Sequence, residues 1–130
     1  MIHFKSNDGS FFKTVSSNHF PKETNNKFLN RVYTKKEIEY CESKKAQRYQ
    51  HYAARFAAKE AVFKAISNLI DYEKQDIWKN IVIKNDIKGK PFVEFYGSIE
   101  FLNMEVTSMD LSISHIKDYA IANFVMLINE

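Results

Sequence analysis

The 130 residues of this chain predict a single domain spanning 1–130, since domains most often run to about 100–150 residues. Hydrophobic residues make up 45% of the sequence and aromatic residues 15%, which excludes an intrinsically disordered chain. The single cysteine, Cys41, excludes an internal disulfide and a thiolate metal cage, so we expect a reducing, cytoplasmic location. No run of 18 apolar residues is present and the first residues lack the apolar core of a signal peptide, so we expect no membrane partner.

The net charge of +3 is distributed unevenly along the chain. Residues 1–64 carry a charge of +7, whereas residues 65–130 carry a charge of −4. This asymmetry suggests an acidic partner or a phosphate ligand held by the N-terminal half, with an ordinary solvated surface as the alternative. The sequence has no concentrated Lys/Arg stripe with interleaved aromatic residues, so we expect no nucleic-acid partner.

The N-terminal half contains two predicted helices behind a polar arm. Residues 5–27 show little periodicity and include Pro21, which predicts an irregular arm around a short element at 11–15. Thr34 and Glu37 have the spacing of a capping box, which predicts a helix over 35–44. A longer helix is predicted over 48–69, because this segment is rich in Ala and free of Gly and Pro.

From Trp78 onward, the apolar residues alternate with a period of two, which is typical of strands. The turn residues of KNDIKGKP separate two predicted strands, and residues 97–107 are compatible with a helix or a strand. LSISH predicts a half-buried strand, followed by a turn at 117–118 and by YAIANFVMLI as the central strand. The predicted fold class is α+β, with the helices first in the chain and packed on an antiparallel sheet.

The long helix carries the best candidate for chemistry. Glu60 and Lys64 are four residues apart and therefore project from one face, with Phe56 one turn before them. An ordinary Glu–Lys pair on the surface has the same spacing. The surrounding alanines let a ligand or another backbone approach closely, which makes Glu60 a candidate metal ligand or general base.

The sequence gives little evidence for other catalytic, metal-binding or nucleotide-binding motifs. His115 ends a predicted strand, where a structural histidine is the ordinary interpretation. The remaining histidines have no metal-ligand spacing. Three glycines in the whole chain exclude a P-loop and a dinucleotide-binding fingerprint.

Four segments, in this order and spacing, resemble bacterial holo-acyl-carrier-protein synthases, the small 4'-phosphopantetheinyl transferases. They are RVYTKKEIEYCESKK, RFAAKEAVFKAI, WKNIVIKNDIKGKPFV and LSISHIKDYAIANFVM. The resemblance covers about residues 28–129, and its most specific motif surrounds Lys59 and Glu60. It implies the α+β fold of that family and transfer of 4'-phosphopantetheine from coenzyme A to a serine of apo acyl carrier protein, with release of adenosine 3',5'-bisphosphate.

The resemblance also implies the roles of individual residues and the partners. Glu60 matches a magnesium ligand, and Asp8 falls where a second magnesium ligand belongs if about three residues are inserted before Phe28. Lys64 matches a lysine beside the coenzyme A phosphates. Three further residues match family positions that could contact these phosphates: Arg55, Lys59 and His115. Magnesium commonly takes one or two carboxylates and leaves water and substrate phosphates to complete its shell.

The same resemblance implies acyl carrier protein and coenzyme A as partners and a homotrimer with sites between subunits. Departures from the family pattern support an alternative. The surroundings of Asp8, KSNDGSFFKT, lack the glycine-and-apolar strand that normally carries this residue in the family. Thr14 stands where an arginine is usual, and Ser67 to Ile70 replace a glycine-containing turn. The alternative is a non-catalytic protein of the same fold that binds acyl carrier protein or a nucleotide.

Overall fold

The fold of the protein, taken from a computed structural model, is described for residues 3–5, 11–16, 26–71, 77–115 and 119–129. The helices are α1 (Asn26–Val32), α2 (Lys35–Glu42), α3 (Arg48–Ile66) and α4 (Leu102–Glu105). The strands are β1 (His3–Lys5), β2 (Phe11–Ser16), β3 (Ile81–Asn85), β4 (Pro91–Phe95), β5 (Val106–His115) and β6 (Tyr119–Ile128). The two predicted helices are therefore confirmed, each ending two or three residues earlier than predicted.

The described strands form one four-stranded sheet, in the order β1-β2-β6-β5, and a separate β3–β4 hairpin. All neighbouring strands are antiparallel. The prediction that YAIANFVMLI forms a central strand is confirmed, because β6 pairs with β2 on one side and β5 on the other. The turn predicted at 117–118 lies outside the described residues.

The predicted order of elements, with helices before the sheet, is wrong at the N-terminus. The predicted short element at 11–15 is strand β2, which pairs along its length with β6 more than 100 residues later. β2 is held by backbone hydrogen bonds to β1 and β6 on its two sides, and such pairing leaves little signal in the residue pattern of the strand itself. The ambiguous segment 97–107 contains a 3₁₀ turn and the short helix α4 before β5 begins.

Helix α3 packs against the four-stranded sheet through its alanines. Five alanine side chains of α3 are buried: Ala53, Ala54, Ala57, Ala58 and Ala61. Ala120, Ala122 and Phe124 are buried on the facing side of β6. Small side chains let a helix approach closely, so the sheet fixes both the position and the rotation of α3. No helix in the described ranges is long and apolar enough to cross a membrane.

Candidate active site

Four of the predicted site residues lie on α3, and helix geometry divides them between two faces. Arg55 and Lys59 share the face that contacts α2 and β3, since their side chains bond to Asn85 and Glu37. Glu60 and Lys64 share another face. Five residues separate Arg55 from Glu60, which corresponds to about 140° around a helix with 3.6 residues per turn.

A cavity of about 820 Å³ lies between α2, α3 and β3. Its basic lining residues are Lys35, Lys36, Arg55, Lys79 and Lys84. Lys84 is paired with Glu94 across the hairpin, at 3.2 Å between Nζ and Oε2. Glu37 also lines the cavity, but its charge is matched by Lys59. The excess of positive charge favours an anionic ligand in this cavity.

Arg55 is the predicted site residue that reaches this cavity. Its side chain is 94% buried, and its guanidinium lies over the Tyr40 ring at 4.3 Å from the centroid. Both terminal nitrogens donate to the single oxygen Oδ1 of Asn85, at 3.3 Å each. Within the described part of the chain, its Nε has no hydrogen-bond partner. A buried guanidinium with an unused donor is suited to an anion that supplies the missing acceptor.

His115 lies at the end of β5, in a cluster of rings that also contains His51 and Tyr40. Its ring meets that of His51 edge-on at 4.9 Å between centroids, and the His51 ring meets Tyr40 at 5.6 Å. Burial, together with electrostatic interactions with His115, Lys44 and Arg55, lowers the pKa of His51 to about 4. Lys44 Nζ lies 4.9 Å from the centroid of the Tyr40 ring, so two cationic groups, Lys44 and Arg55, contact this tyrosine next to the cavity.

Lys59 differs from the expectation of a phosphate contact. Its side chain is fully buried, and its ammonium lies 2.8 Å from Glu37 Oε1. It also donates to the carbonyl oxygens of Trp78 and Ile81, both at 2.8 Å. Burial lowers the pKa of Lys59, an effect that the adjacent Glu37 carboxylate opposes. These contacts place the ammonium in the protein interior, where it is not open to a substrate phosphate.

Glu60 and Lys64 lie on the aromatic side of α3. Glu60 is half-buried and Lys64 is exposed. Phe56 and Phe63, one turn before and one turn after Glu60, both contact the Trp78 ring, at 5.9 and 5.4 Å between centroids. Glu60 and Lys64 thus share one face of α3, whereas Arg55 lies on another face, where Tyr40 and His51 connect it to His115.

The described residues provide one carboxylate of the predicted metal site. Asp8 lies outside them, and in the described ranges no group of three or more His, Cys, Asp and Glu side chains converges. Glu60 fits magnesium as a single partly exposed carboxylate, because this ion accepts one or two carboxylates and keeps water and phosphate ligands. Cys41 is excluded as a nucleophile, since burial raises the pKa of its thiol to about 12.

The sequence analysis did not identify Tyr40, His51 or Asn85 as site residues. Each of them reaches the cluster through tertiary contacts from a different element. Glu37 was identified only as a helix cap, although its carboxylate also accepts from the Ile83 backbone amide at 3.1 Å. The only feature of the sequence that draws attention to Glu37 is its position in the capping box, which places a carboxylate at the start of a helix.

Residues 14–123 match the family model described as the 4'-phosphopantetheinyl transferase superfamily. The match begins after Asp8. The holo-[acyl-carrier-protein] synthase of Ruminiclostridium cellulolyticum is 42% identical over 106 residues, which cover 80% of this chain and 78% of that protein. The synthase of Geobacter metallireducens is 37% identical over 109 residues, covering 82% of this chain and 84% of that protein.

Solved structures agree with these relatives. The holo-(acyl-carrier-protein) synthase from Bacillus anthracis, in complex with CoA (3',5'-ADP), has a TM-score of 0.71 and is 30% identical, covering 92% of this chain and 95% of its own. The Helicobacter pylori synthase, in complex with coenzyme A, has a TM-score of 0.71 and is 28% identical, covering 91% of this chain and 99% of its own. The chain belongs to the 4'-phosphopantetheinyl transferase superfamily, among the holo-acyl-carrier-protein synthases.

Proposed function

We propose that this protein transfers 4'-phosphopantetheine from coenzyme A to a serine of apo acyl carrier protein and releases adenosine 3',5'-bisphosphate. The relatives named as synthases and the family's structures with coenzyme A support this activity. The observation in this chain that carries the proposal is Arg55, a buried guanidinium at a lysine-lined cavity, whose Nε has no hydrogen-bond partner among the described residues. It fits a ligand rich in phosphate groups.

The reaction breaks one phosphorus–oxygen bond and forms another. The carrier serine Oγ attacks the β-phosphorus of coenzyme A, and the bond to the bisphosphate leaving group breaks in line with it. The serine proton passes to a water held near Glu60. Lys64, one turn away on the same face, offsets the negative charge that develops on the leaving group.

Glu60 is the proposed magnesium ligand, with Asp8 as the proposed second carboxylate. When bound, magnesium offsets negative charge on the phosphate oxygens. Arg55 and His115, in the proposal, contact the phosphates of the nucleotide end, assisted by the cationic groups around Tyr40. Because Lys59 is fully buried among protein acceptors, we do not assign it a contact with coenzyme A.

The proposed oligomer is a homotrimer in which each site is shared between two protomers. Arg55 and Glu60 lie about 140° apart around α3, and the face between them is packed on the sheet or on aromatic rings. One ligand molecule therefore has no direct path between the two residue pairs of one protomer. A site built from Glu60 and Lys64 of one protomer and Arg55 and His115 of its neighbour removes this obstacle.

The outward side of β6 is the surface proposed for this assembly. Its apolar residues Tyr119, Ile121 and Leu127 are each about half exposed, at 49%, 46% and 60%. Between them lies Asn123, whose Oδ1 is buried and has no hydrogen-bond partner among the described residues. An apolar stripe with an unused polar atom at its centre is suited to a symmetric interface that supplies a donor.

Incubation of the protein with coenzyme A, magnesium and an apo acyl carrier protein tests the proposed activity. The carrier should gain the mass of one phosphopantetheine group, as measured by intact mass spectrometry, and the gain should be lost in EDTA. If no carrier gains mass while coenzyme A still binds, the alternative of a non-catalytic binding protein takes the place of this proposal.

A further inference from the structure

Lys59 and Glu37 form a buried ion pair at the point where α2, α3 and the start of β3 meet. Both side chains are almost inaccessible, at 0% and 2% exposed. The Lys59 ammonium directs its three donors to Glu37 Oε1, the Trp78 carbonyl and the Ile81 carbonyl, all at 2.8 Å. These two carbonyls flank the 3₁₀ turn Trp78–Asn80. The lysine therefore holds both ends of that turn against α3.

Glu37 also bonds to backbone groups at this junction. Its Oε1 also accepts from the Thr34 amide at 2.8 Å, and its Oε2 accepts from the Ile83 amide at 3.1 Å. One carboxylate thus connects the start of α2 with β3, in addition to its pairing with α3. All three donors of Lys59 and both carboxylate oxygens of Glu37 are therefore bonded within the protein.

The stability of the folded protein alone does not explain why Lys59 and Glu37 form a buried ion pair. Moving two charges out of water costs several kcal/mol per ion, and apolar replacements of a buried pair are often as stable. What the pair provides is a single geometry, because three donors and several acceptors have to be satisfied at once. The element whose geometry depends most directly on Lys59 is the turn that carries Trp78.

Trp78 connects this pair to the Glu60 face of α3. Its ring stacks on Phe56 with an interplanar angle of 27° and lies 5.4 Å from the Phe63 ring. Phe56 and Phe63 stand on either side of Glu60 along the helix surface. A shift of the turn would therefore move the aromatic rings beside Glu60. The partners of Arg55, which are Asn85 and Tyr40, do not belong to this turn.

We propose that Lys59 and Glu37 are a positioning pair that holds Trp78 against the Glu60 face of α3 and so fixes the geometry around Glu60. This role rests on the proposed function, since it assigns Glu60 to the reaction. It replaces a direct contact between Lys59 and coenzyme A. Glu37 lines the cavity, but both of its carboxylate oxygens are bonded within the protein and Lys59 is fully buried, so we expect the pair to act through Trp78 and to contact neither substrate.

Trp78 is the only tryptophan of the chain, so its fluorescence reports this contact directly. In Lys59→Met, which keeps the length of the side chain and removes its donors, we expect a red shift of the emission and stronger quenching by acrylamide. The variant Lys59→Met combined with Glu37→Gln removes the stranded buried charge as well, and it should show the same shift. Lys88→Met, an exposed lysine on the β3–β4 turn, is the matched control and should leave the spectrum unchanged.

The kinetic expectation separates positioning from binding. In the double variant, kcat should fall about tenfold to hundredfold, because a displacement of about 1 Å can cost a hundredfold in rate. The KM for coenzyme A should stay within about twofold of the wild-type value. Recovery of thermal stability in the double variant relative to Lys59→Met should not restore kcat, whereas a purely structural role would restore both together.

Three results would overturn the proposal. The first is a double variant with the wild-type spectrum and kcat, and the second is a shifted spectrum with an unchanged kcat. The third is an increase in the KM for coenzyme A that accounts by itself for the whole decrease in kcat/KM. Glu37→Gln alone carries the same expectation at smaller amplitude, and it replaces the lysine variants if these do not fold. Failure of the proposed function appears separately, as a wild-type protein that transfers nothing while the spectral shifts persist.

Discussion

Glu60 stands on a helix face bordered by aromatic rings, where a carboxylate is partly shielded from water. Its neighbour Lys59 points into the interior, although the two are adjacent in the sequence. The proposed roles follow this division, with Glu60 as the magnesium ligand and Lys59 as a positioning residue. It also means that substitutions at the two positions should have different kinetic and spectroscopic signatures.

The variant Glu60→Gln tests the proposed metal ligand. It keeps the shape of the side chain but removes the charge that a hard cation requires, so transfer should fall by orders of magnitude. Transfer is measured by intact mass of the carrier, and the fold by circular dichroism and thermal unfolding. Glu39→Gln, the same change at an exposed position of α2, should keep full activity. Transfer by Glu60→Gln at the wild-type rate would contradict the proposal.

Asp8→Asn extends this test to the residue outside the described ranges. A large loss of transfer, together with weaker magnesium binding measured by titration calorimetry, would support Asp8 as the second carboxylate. Lys64→Ala should also lower kcat but leave magnesium affinity nearly unchanged, because an ammonium is not a metal ligand. A silent Asp8→Asn beside an inactive Glu60→Gln would assign the remaining ligand to another group or to water.

His51 makes the stability of the folded protein depend on pH. Its pKa is about 4 in the folded protein and 6.5 in the unfolded chain, because of burial and of the charges of His115, Lys44 and Arg55. The unfolded state therefore binds the proton first as the pH falls. The contribution of neutral His51 to stability is complete above pH 6.5 and is lost progressively between pH 6.5 and pH 4.

The expected loss from this group is roughly 1–3 kcal/mol after allowance for partial exposure. Urea unfolding at pH 7 and pH 4 measures it, with His51→Gln for comparison. The variant should lose less stability than the wild type between the two pH values. An equal loss in both proteins would show that His51 does not carry this dependence.

At the scale of single elements, the start of α2 serves both the helix and the site. Thr34 Oγ1 accepts from the Glu37 amide at 3.2 Å, and Glu37 Oε1 accepts from the Thr34 amide at 2.8 Å. The same Glu37 carboxylate pairs with Lys59. Loss of the cap therefore affects both the start of α2 and the orientation of the Glu37 carboxylate, which is the buried partner of Lys59.

Thr34→Ala should lower the free energy of unfolding by about 1 kcal/mol, the usual effect of losing a side-chain cap. Chemical denaturation measures this change. Thr107→Ala is the matched control, since its hydroxyl donates to the Leu127 carbonyl at an exposed position of β5, and it should cost less. If Thr34→Ala were as stable as the wild type, the Glu37 side chain alone would be holding the helix start.

At the scale of the whole molecule, the separation of Arg55 from Glu60 around α3 predicts complementation between inactive variants. Glu60→Gln and Arg55→Ala should each be nearly inactive alone. Subunits of the two variants that are mixed, unfolded and refolded together should regain part of the wild-type transfer rate, since some sites then combine two intact halves. Absence of any recovery, with mixed oligomers verified by native mass spectrometry, would contradict a shared site.

The interface itself is tested on the outward side of β6. Ile121→Lys should convert the expected trimer to a monomer in light scattering and lower transfer in parallel, because a charge is costly in an apolar interface. Ile87→Lys is the matched control, since Ile87 is fully exposed at the tip of the β3–β4 hairpin. A wild-type protein that is monomeric at micromolar concentration would contradict the trimer.

The positive N-terminal half predicts the docking of an acidic carrier protein. The proposed docking residues lie on or after α2: Lys35, Lys36, Lys44, Lys45 and Arg48. Lys45→Glu, in the exposed connection between α2 and α3, should raise the KM for the carrier several-fold and leave that for coenzyme A nearly unchanged. The effect should shrink at high salt, since the Debye length falls to about 3 Å at 1 M. Equal changes in both KM values would contradict docking at this surface.

The sequence by itself determined the features that depend on neighbouring residues. The capping box of Thr34 and Glu37, the alanine-rich helix α3 and the apolar strand β6 were all predicted, because capping and periodicity are local. The four matching segments likewise identified the family, and so indicated the candidate residues on α3. None of these inferences required knowledge of which elements meet.

Tertiary structure alone decided how those residues are used. Pairing of β2 with β6, burial of Lys59 among acceptors from α2 and β3, and the cluster of Arg55, Tyr40, His51 and His115 all join residues distant in sequence. Helix spacing indicates which residues share a face but not what that face meets, so an interior lysine and a phosphate-binding lysine have the same sequence pattern. The two kinds of lysine differ in the groups that they contact, and tertiary packing alone determines those contacts.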